Sequence, residues 1–179
     1  MNVLVVGGGG REHTIAWKLS QSKSVDTLYA APGNAGLSSI ASCLDFSADA
    51  ITGIAKWAVK EKIDLVAVGP EVPLCMGIVD LLDEAGIPAF GPSGSAARIE
   101  GSKVFSKRFM KKHNIPTAAF EDFSEFDKAV DFARSVNGKL WIKASGLAAG
   151  KGAVFATDGE AAENILREMM IEKKFGDAG

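Results

Sequence analysis

The sequence is poor in cysteine and histidine and has no long apolar run. Two cysteines in 179 residues, Cys43 and Cys75, are too few for a disulfide framework and lack metal-site spacing. A reducing cytosol is therefore the expected compartment, and both side chains are expected to be small buried apolar groups. The two histidines, His13 and His113, stand alone and are not read as metal ligands. No apolar stretch approaches the ~18 residues of a membrane helix. An excess of one charge is missing as well. Twenty Lys and Arg against 22 Asp and Glu leave a net charge of -2, which argues for neither nucleic acid nor an acidic membrane as a partner. The start, Met1 to Val6, has no basic region and runs straight into glycines, so it reads as a first strand rather than a signal peptide. No internal repeat is present.

Apolar residues at 47% and charged residues at 23% are ordinary for a soluble globular protein with a sizeable core. The length suits one domain, or one plus a piece of another. Glycine is enriched, with 20 residues against a usual ~7%, and it clusters as in glycine-rich loops instead of repeating.

Val3 to Val6 predicts a strand buried on both faces of a parallel sheet. Gly7 to Gly10 form a turn, and a helix follows from about Arg11 to Ser22. A second strand is expected at Thr27 to Ala31, ended by Pro32-Gly33-Asn34-Ala35-Gly36. The spacing of Ile51, Ile54, Ala55, Ala58 and Val59 predicts a helix over about 47–62, with Ser47 as N-cap. Asp64 to Val68 reads as a strand, Leu74 to Ala85 as a helix capped by Gly86, and Pro88 to Phe90 as a short strand. This alternation predicts an α/β fold with a doubly wound, Rossmann-like parallel sheet. The strand exits at 7–13, 32–36, 69–74 and 91–95 should then converge on one crevice. Beyond residue 93 the rhythm changes. Helices are expected at 93–100, 103–112, 124–136 and 158–174. Strands are expected at 118–121, 140–143 and 153–157, the last two as an antiparallel hairpin. This second part reads as α+β, with a boundary near 101–117.

The first glycine cluster does not complete a dinucleotide fingerprint. The third glycine position falls on Glu12, and no acidic residue closes the second strand, which disfavours a nicotinamide-dependent dehydrogenase. Gly9, Gly10 and Arg11 open a helix. They are either a packing turn or an anion site where N–H groups and the dipole favour phosphate. Pro32, Gly33 and Asn34 make either a simple turn or a ligand contact on the same side. In Gly69-Pro70-Glu71, Glu71 either holds a hydroxyl or amine or caps the next helix. The strongest local signal is Lys143-Ala-Ser-Gly146-Leu147-Ala148-Ala149-Gly150-Lys151-Gly152. Small residues let the backbone approach a ligand, and the lysines meet a triphosphate's charge. The spacing is not that of a Walker A loop, and a flexible hairpin loop is the plain alternative. Lys103 opens a helix against its dipole, a cost that a bound anion would offset. Ser145 has no histidine nearby in sequence, so a hydrolase triad has no support.

Taken in order, Gly8-Gly9-Gly10-Arg11-Glu12-His13, Pro32 to Gly36, Gly69 to Leu74, Gly77-Ile78-Val79-Asp80, Gly101-Ser102-Lys103, Ile115-Pro116-Thr117 and Gly146 to Gly152 span nearly the whole chain. With these motifs the sequence resembles the phosphoribosylamine–glycine ligase (glycinamide ribonucleotide synthetase) family of purine biosynthesis. One departure is Ser145, where the family usually has Asp. The resemblance implies a pre-ATP-grasp substrate domain over 1–102, a connecting helix and linker over 103–117, and a partial α+β ATP-grasp lobe over 118–179. It implies that ATP phosphorylates glycine to an acyl phosphate and that 5-phosphoribosylamine then attacks it. Lys103, Lys143 and residues 146–152 match the ATP-phosphate side. Gly9, Gly10, Arg11, Glu12, Pro32, Gly33, Asn34, Gly69, Pro70 and Glu71 match the substrate side. Family members continue past residue 179, so the chain is expected to be truncated before its adenine segment and magnesium ligands and to be inactive alone. A cytoplasmic monomer acting on small molecules is expected for the complete enzyme. The alternative is a stand-alone nucleotide- or sugar-phosphate-binding module.

Overall fold

The computed structural model describes all 179 residues, and these divide into two compact units, Met1–Arg98 and Ile99–Gly179. No helix is long and apolar enough to cross a membrane.

The first unit is a five-stranded parallel sheet in the order β3-β2-β1-β4-β5. Its strands are β1 (Asn2–Gly7), β2 (Thr27–Pro32), β3 (Ser42–Cys43), β4 (Leu65–Val68) and β5 (Ala89–Phe90). β1 lies in the centre because Val3, Leu4, Val5 and Val6 are all apolar and all buried. Alternate residues feed two cores. Leu4 and Val6 pack with Ile54, Ala58, Val66, Ile78 and Leu82 on one face. Val3 and Val5 pack with Ala16, Leu28, Ala30 and Leu37 on the other. The covering helices are α1 (Gly10–Ser20), α2 (Ile51–Lys60), α3 (Glu71–Cys75) and α4 (Ile78–Glu84), and α5 (Gly94–Gly101) runs through the division between the units. β2 and β4 flank β1 on opposite sides, so the chain reverses its winding between β1 and β4. In such sheets that switch point is where ligands bind.

Several expectations are corrected. The second helix starts at Ile51, not near Ser47, because the Ser47 hydroxyl bonds the Asp49 carboxylate instead of capping a helix N–H. The expected helix 74–85 is two helices, parted at Gly77, whose φ of +87° needs glycine. The two-residue β3 and the short 3₁₀ turn Leu37–Ser39 before it were not expected. Cys43 is exposed and Cys75 half-buried, so neither is the buried apolar residue anticipated.

In the second unit, α6 (Lys103–Lys112) precedes α7 (Phe126–Ser135). The hairpin β6 (Leu140–Lys143) and β7 (Ala153–Ala156) follows, and then α8 (Gly159–Leu166). β6 and β7 pair antiparallel, with Leu140 opposite Ala156 and Lys143 opposite Ala153. Ala129, Val130, Ala133, Ile142, Ala156, Ala162 and Leu166 form the core between the hairpin and helices α7 and α8. No strand forms at 118–121: the Ala118 carbonyl accepts from Lys107 Nζ, and β6 and β7 pair only with each other. The last helix ends at Leu166 and passes into a π-helical turn over Arg167–Ile171. The α6 residues expected to face inward, Val104, Phe105, Phe109 and Met110, are half-buried.

Candidate functional site

In the first unit the exits of β1 and β4 flank an open cavity of about 240 Å³ lined by Gly9, Gly10, Arg11, Glu12, Pro70 and Glu71. Arg11 spans the two exits. Its guanidinium donates to Gly69 O at 2.6 Å and to Glu71 Oε1 at 3.0 Å. Glu71 opens α3, and its own backbone N–H holds its carboxyl below the usual carboxylate range, with the Arg11 hydrogen bond as the next cause. Glu12 is buried and accepts the Gly9 N–H at 2.7 Å. The helix N-terminus expected to hold an anion thus already has a carboxylate of its own. Glu71 offers the cavity a carboxylate and Arg11 a guanidinium, while the Glu12 carboxylate is taken by Gly9 N–H; that set suits hydroxyl or amine groups better than a phosphate.

Pro32, Gly33 and Asn34 do not line the cavity; they brace it. Asn34 Nδ2 donates to Gly8 O at 2.9 Å, while its Oδ1 accepts Leu37 N–H at 2.8 Å. Gly33 N–H donates to Gly7 O at 3.2 Å. The turn at 91–95 does not join the crevice either. β5 is an edge strand; Gly91 lies against Leu74 and Val79, and Gly94 N–H bonds Asp80. Three of the four expected exits therefore meet, two as walls and one as a brace.

In the second unit the Gly146–Gly152 loop joins β6 to β7. Ala149 and Gly150 are both left-handed, at φ +47° and +77°, and Lys151 N–H closes a turn on Ala148 O. Lys103 is tied to the start of this loop, its Nζ donating to Gly146 O at 3.0 Å. The cost of a lysine at the α6 N-terminus is partly met inside the chain. Lys103 N–H bonds Ser145 O at 2.8 Å, Val104 N–H bonds Ser145 Oγ at 3.4 Å, and Phe105 N–H bonds Ser102 Oγ at 3.2 Å. Lys143 and Lys151 are exposed, and no hydrogen bond or ion pair holds either ammonium. Because Ser145 accepts at a helix N-terminus, Ser145→Asp is expected to stabilise the chain by about 0.3–1 kcal/mol, while Ser145→Ala destabilises it. Thermal melting of the three proteins checks the order.

The sequence reading missed an aromatic pair. Trp141 and Phe155 are register partners on the outer face of the hairpin, 61% and 49% exposed, with ring centroids 5.5 Å apart. Lys143 follows Trp141 by two residues and shares that face, whereas Ile142 is buried. A flat apolar surface in line with a free ammonium can carry an aromatic base next to an anion. The period of two over Trp141, Ile142 and Lys143 was the signal that could have found it. No group of three or more His, Cys, Asp or Glu side chains is placed to hold a metal ion.

Comparison with known proteins bears on the family of the two units. Residues 1–100 match the family model described as Phosphoribosylglycinamide synthetase, N domain, and residues 101–179 the one described as Phosphoribosylglycinamide synthetase, ATP-grasp (A) domain. Phosphoribosylamine–glycine ligase of Halalkalibacterium halodurans is 50% identical over 179 residues, which is 100% of this chain and 42% of that protein. The ligase of Escherichia coli is 47% identical over 182 residues, with the same coverage of 100% and 42%. The chain thus spans under half the length of these curated relatives. Among solved structures, phosphoribosylamine–glycine ligase of Thermotoga maritima aligns with a TM-score of 0.76 and 28% identity over 97% of this chain and 40% of that one. Carboxyaminoimidazole ribonucleotide synthase of Aspergillus clavatus, complexed with ATP, aligns with a TM-score of 0.69 at 18% identity over 96% of this chain and 44% of that one, a likeness of fold.

Proposed function

Since the chain belongs to the phosphoribosylglycinamide synthetase family, we propose that it supplies the sugar-side domain and the first part of the ATP lobe of a carbon–nitrogen ligase. The proposed reaction joins glycine to 5-phosphoribosylamine. A glycine carboxylate oxygen attacks the γ-phosphorus of ATP, the bond to the β–γ bridging oxygen breaks, and ADP leaves. The amine of phosphoribosylamine attacks the carbonyl carbon of the glycyl phosphate. Phosphate leaves, the nitrogen loses a proton, and glycinamide ribonucleotide remains.

The observation that carries this reading is the placing of Lys103, with its ammonium on Gly146 O, and of Lys143, which ends β6, at the start of one loop of small residues whose other end carries Lys151. On this reading Lys103, Lys143 and Lys151 balance the charge of the triphosphate, and Gly146, Leu147, Ala148, Ala149, Gly150 and Gly152 let the backbone close over it. Trp141 and Phe155 offer the base a flat face. In the first unit Glu71 and Arg11 hold the sugar hydroxyls in the cavity of Gly9, Gly10, Glu12 and Pro70. Pro32, Gly33, Asn34 and Gly69 fix the walls. The residues present do not fit the magnesium that the resemblance implies, since no three His, Cys, Asp or Glu side chains are grouped to hold it.

The 179-residue chain is expected to bind ribose 5-phosphate in a calorimetric titration, and Arg11→Ala is expected to weaken that binding about tenfold. The chain alone is expected to release no ADP in a glycine-dependent manner, since it groups no carboxylates beside the phosphate loop. A coupled ADP assay checks this, and glycine-dependent release would refute the assignment of a partial site.

A further inference from the structure

We infer that Glu12 is the spacer that sets the distance between the two walls of the first-unit cavity, a positioning residue and not a ligand to the sugar; the inference rests on the reading of that cavity given above. Glu12 is the one charged side chain among the buried residues, 5% exposed, and it is in no ion pair. Its carboxylate accepts Gly9 N–H and lies among three glycines drawn from both strand exits. A Cβ at Gly7 would stand 2.6 Å from Glu12 Cγ, and one at Gly9 2.9 Å from Oε2. One at Gly69 would stand 2.1 Å from Oε1 and 2.5 Å from Cγ and Cδ. Gly7 has a φ of +123°, which favours glycine on its own account. Gly69 has no such φ, and the three atoms nearest a Cβ there all belong to Glu12.

Gly7 and Gly9 belong to the exit of β1 and Gly69 to the exit of β4, so the Glu12 side chain fills the interval at the switch point itself. Arg11 draws the same two exits together from outside, through Gly69 O and Glu71. One residue ties the walls and its neighbour props them apart. A buried carboxylate without a cation costs free energy that an apolar filler would avoid. The carboxylate is held in place by the Gly9 N–H, which donates to it at 2.7 Å.

The test uses four variants, thermal melting, and titration with ribose 5-phosphate. Glu12→Gln keeps the length, the shape and a carbonyl acceptor, and removes only the charge. Glu12→Ala removes the spacer, and Gly69→Ala drives a methyl into it. The double variant is expected to melt higher than Gly69→Ala alone, because the methyl enters the vacated space, and the two effects are then not additive. Glu12→Gln is expected to bind ribose 5-phosphate within about threefold of the unaltered chain, and Glu12→Ala to lose at least about tenfold. If Glu12→Gln lost as much binding as Glu12→Ala with an unshifted Tm, Glu12 would be a charged ligand and the inference would fall. A double variant melting no higher than Gly69→Ala would also overturn it. Absence of ribose 5-phosphate binding in the unaltered chain would overturn the reading of the cavity, while the melting arm, which needs no ligand, would still decide the spacer.

Discussion

Lys143→Ala, made in a ligase-length protein that carries this chain, lowers kcat for ATP-dependent ligation by about 10²- to 10³-fold and moves KM for ATP much less. The ammonium stands at the end of β6 beside the Gly146–Gly152 loop and has no partner in the protein, so its removal breaks no internal bond. On the proposed reading its charge acts where negative charge builds on the transferred phosphoryl group, an interaction stronger in the transition state than in the ground state. Trp141→Ala gives the opposite split. Losing a stacking face of about 1–3 kcal/mol raises KM for ATP and leaves kcat near its original value. Lys103→Ala is a less clean probe, because its amine also holds Gly146 O and its loss disturbs the loop itself. Steady-state kinetics with varied ATP at saturating glycine read both effects. Unchanged ATP kinetics in Lys143→Ala would remove this residue from the site.

What the sequence disclosed depended on how local each signal was. Val3 to Val6, four apolar residues against a glycine turn, could be little but a central strand, and the alternation behind it placed the β1 and β4 exits together. Arg11, Glu12 and Glu71 followed from that topology and do line one cavity. Signals that depend on partners stayed hidden. β3 is two residues long and exists because Tyr29 and Ala30 offer it a ladder. The apolar stretch 118–121 has the composition of a strand but no strand to pair with. Gly77 reads as part of a helix in the sequence, and its left-handed φ belongs to the folded turn between α3 and α4. Glu12 was legible as a motif residue but not as a buried one, since its burial comes from the β4 exit closing over it from a distant point in the chain. Trp141 alternates with Ile142 in the sequence, but its pairing with Phe155 follows only from the register of the hairpin.

The largest stability effect is expected from a glycine that no motif marks. Gly138 lies just past the end of α7 with a φ of +68°, and its N–H donates to Ala133 O at 2.8 Å. A Cβ there would stand 2.1 Å from Asp158 C, 2.2 Å from Gly159 N and 2.3 Å from Asp158 O. All three are backbone atoms at the start of α8, so no side chain can swing aside to admit a methyl. Asp158 is fixed there as the α8 N-cap, its Oδ1 accepting the Ala161 N–H at 2.9 Å. Gly138→Ala must therefore part α7 from α8, the two helices that close the core over Ile142 and Ala156. The expected cost is about 4 kcal/mol, at the exceptional end for a single substitution. That corresponds to a fall in Tm of roughly 15 °C or more for a domain of this size. Gly150→Ala is the control. Its φ is +77°, but nothing lies within 4 Å of its Cβ position, so it pays only the left-handed backbone cost of about 1 kcal/mol. Equal losses of Tm in the two variants would show that backbone conformation alone sets both, and that the α7–α8 contact at Gly138 yields.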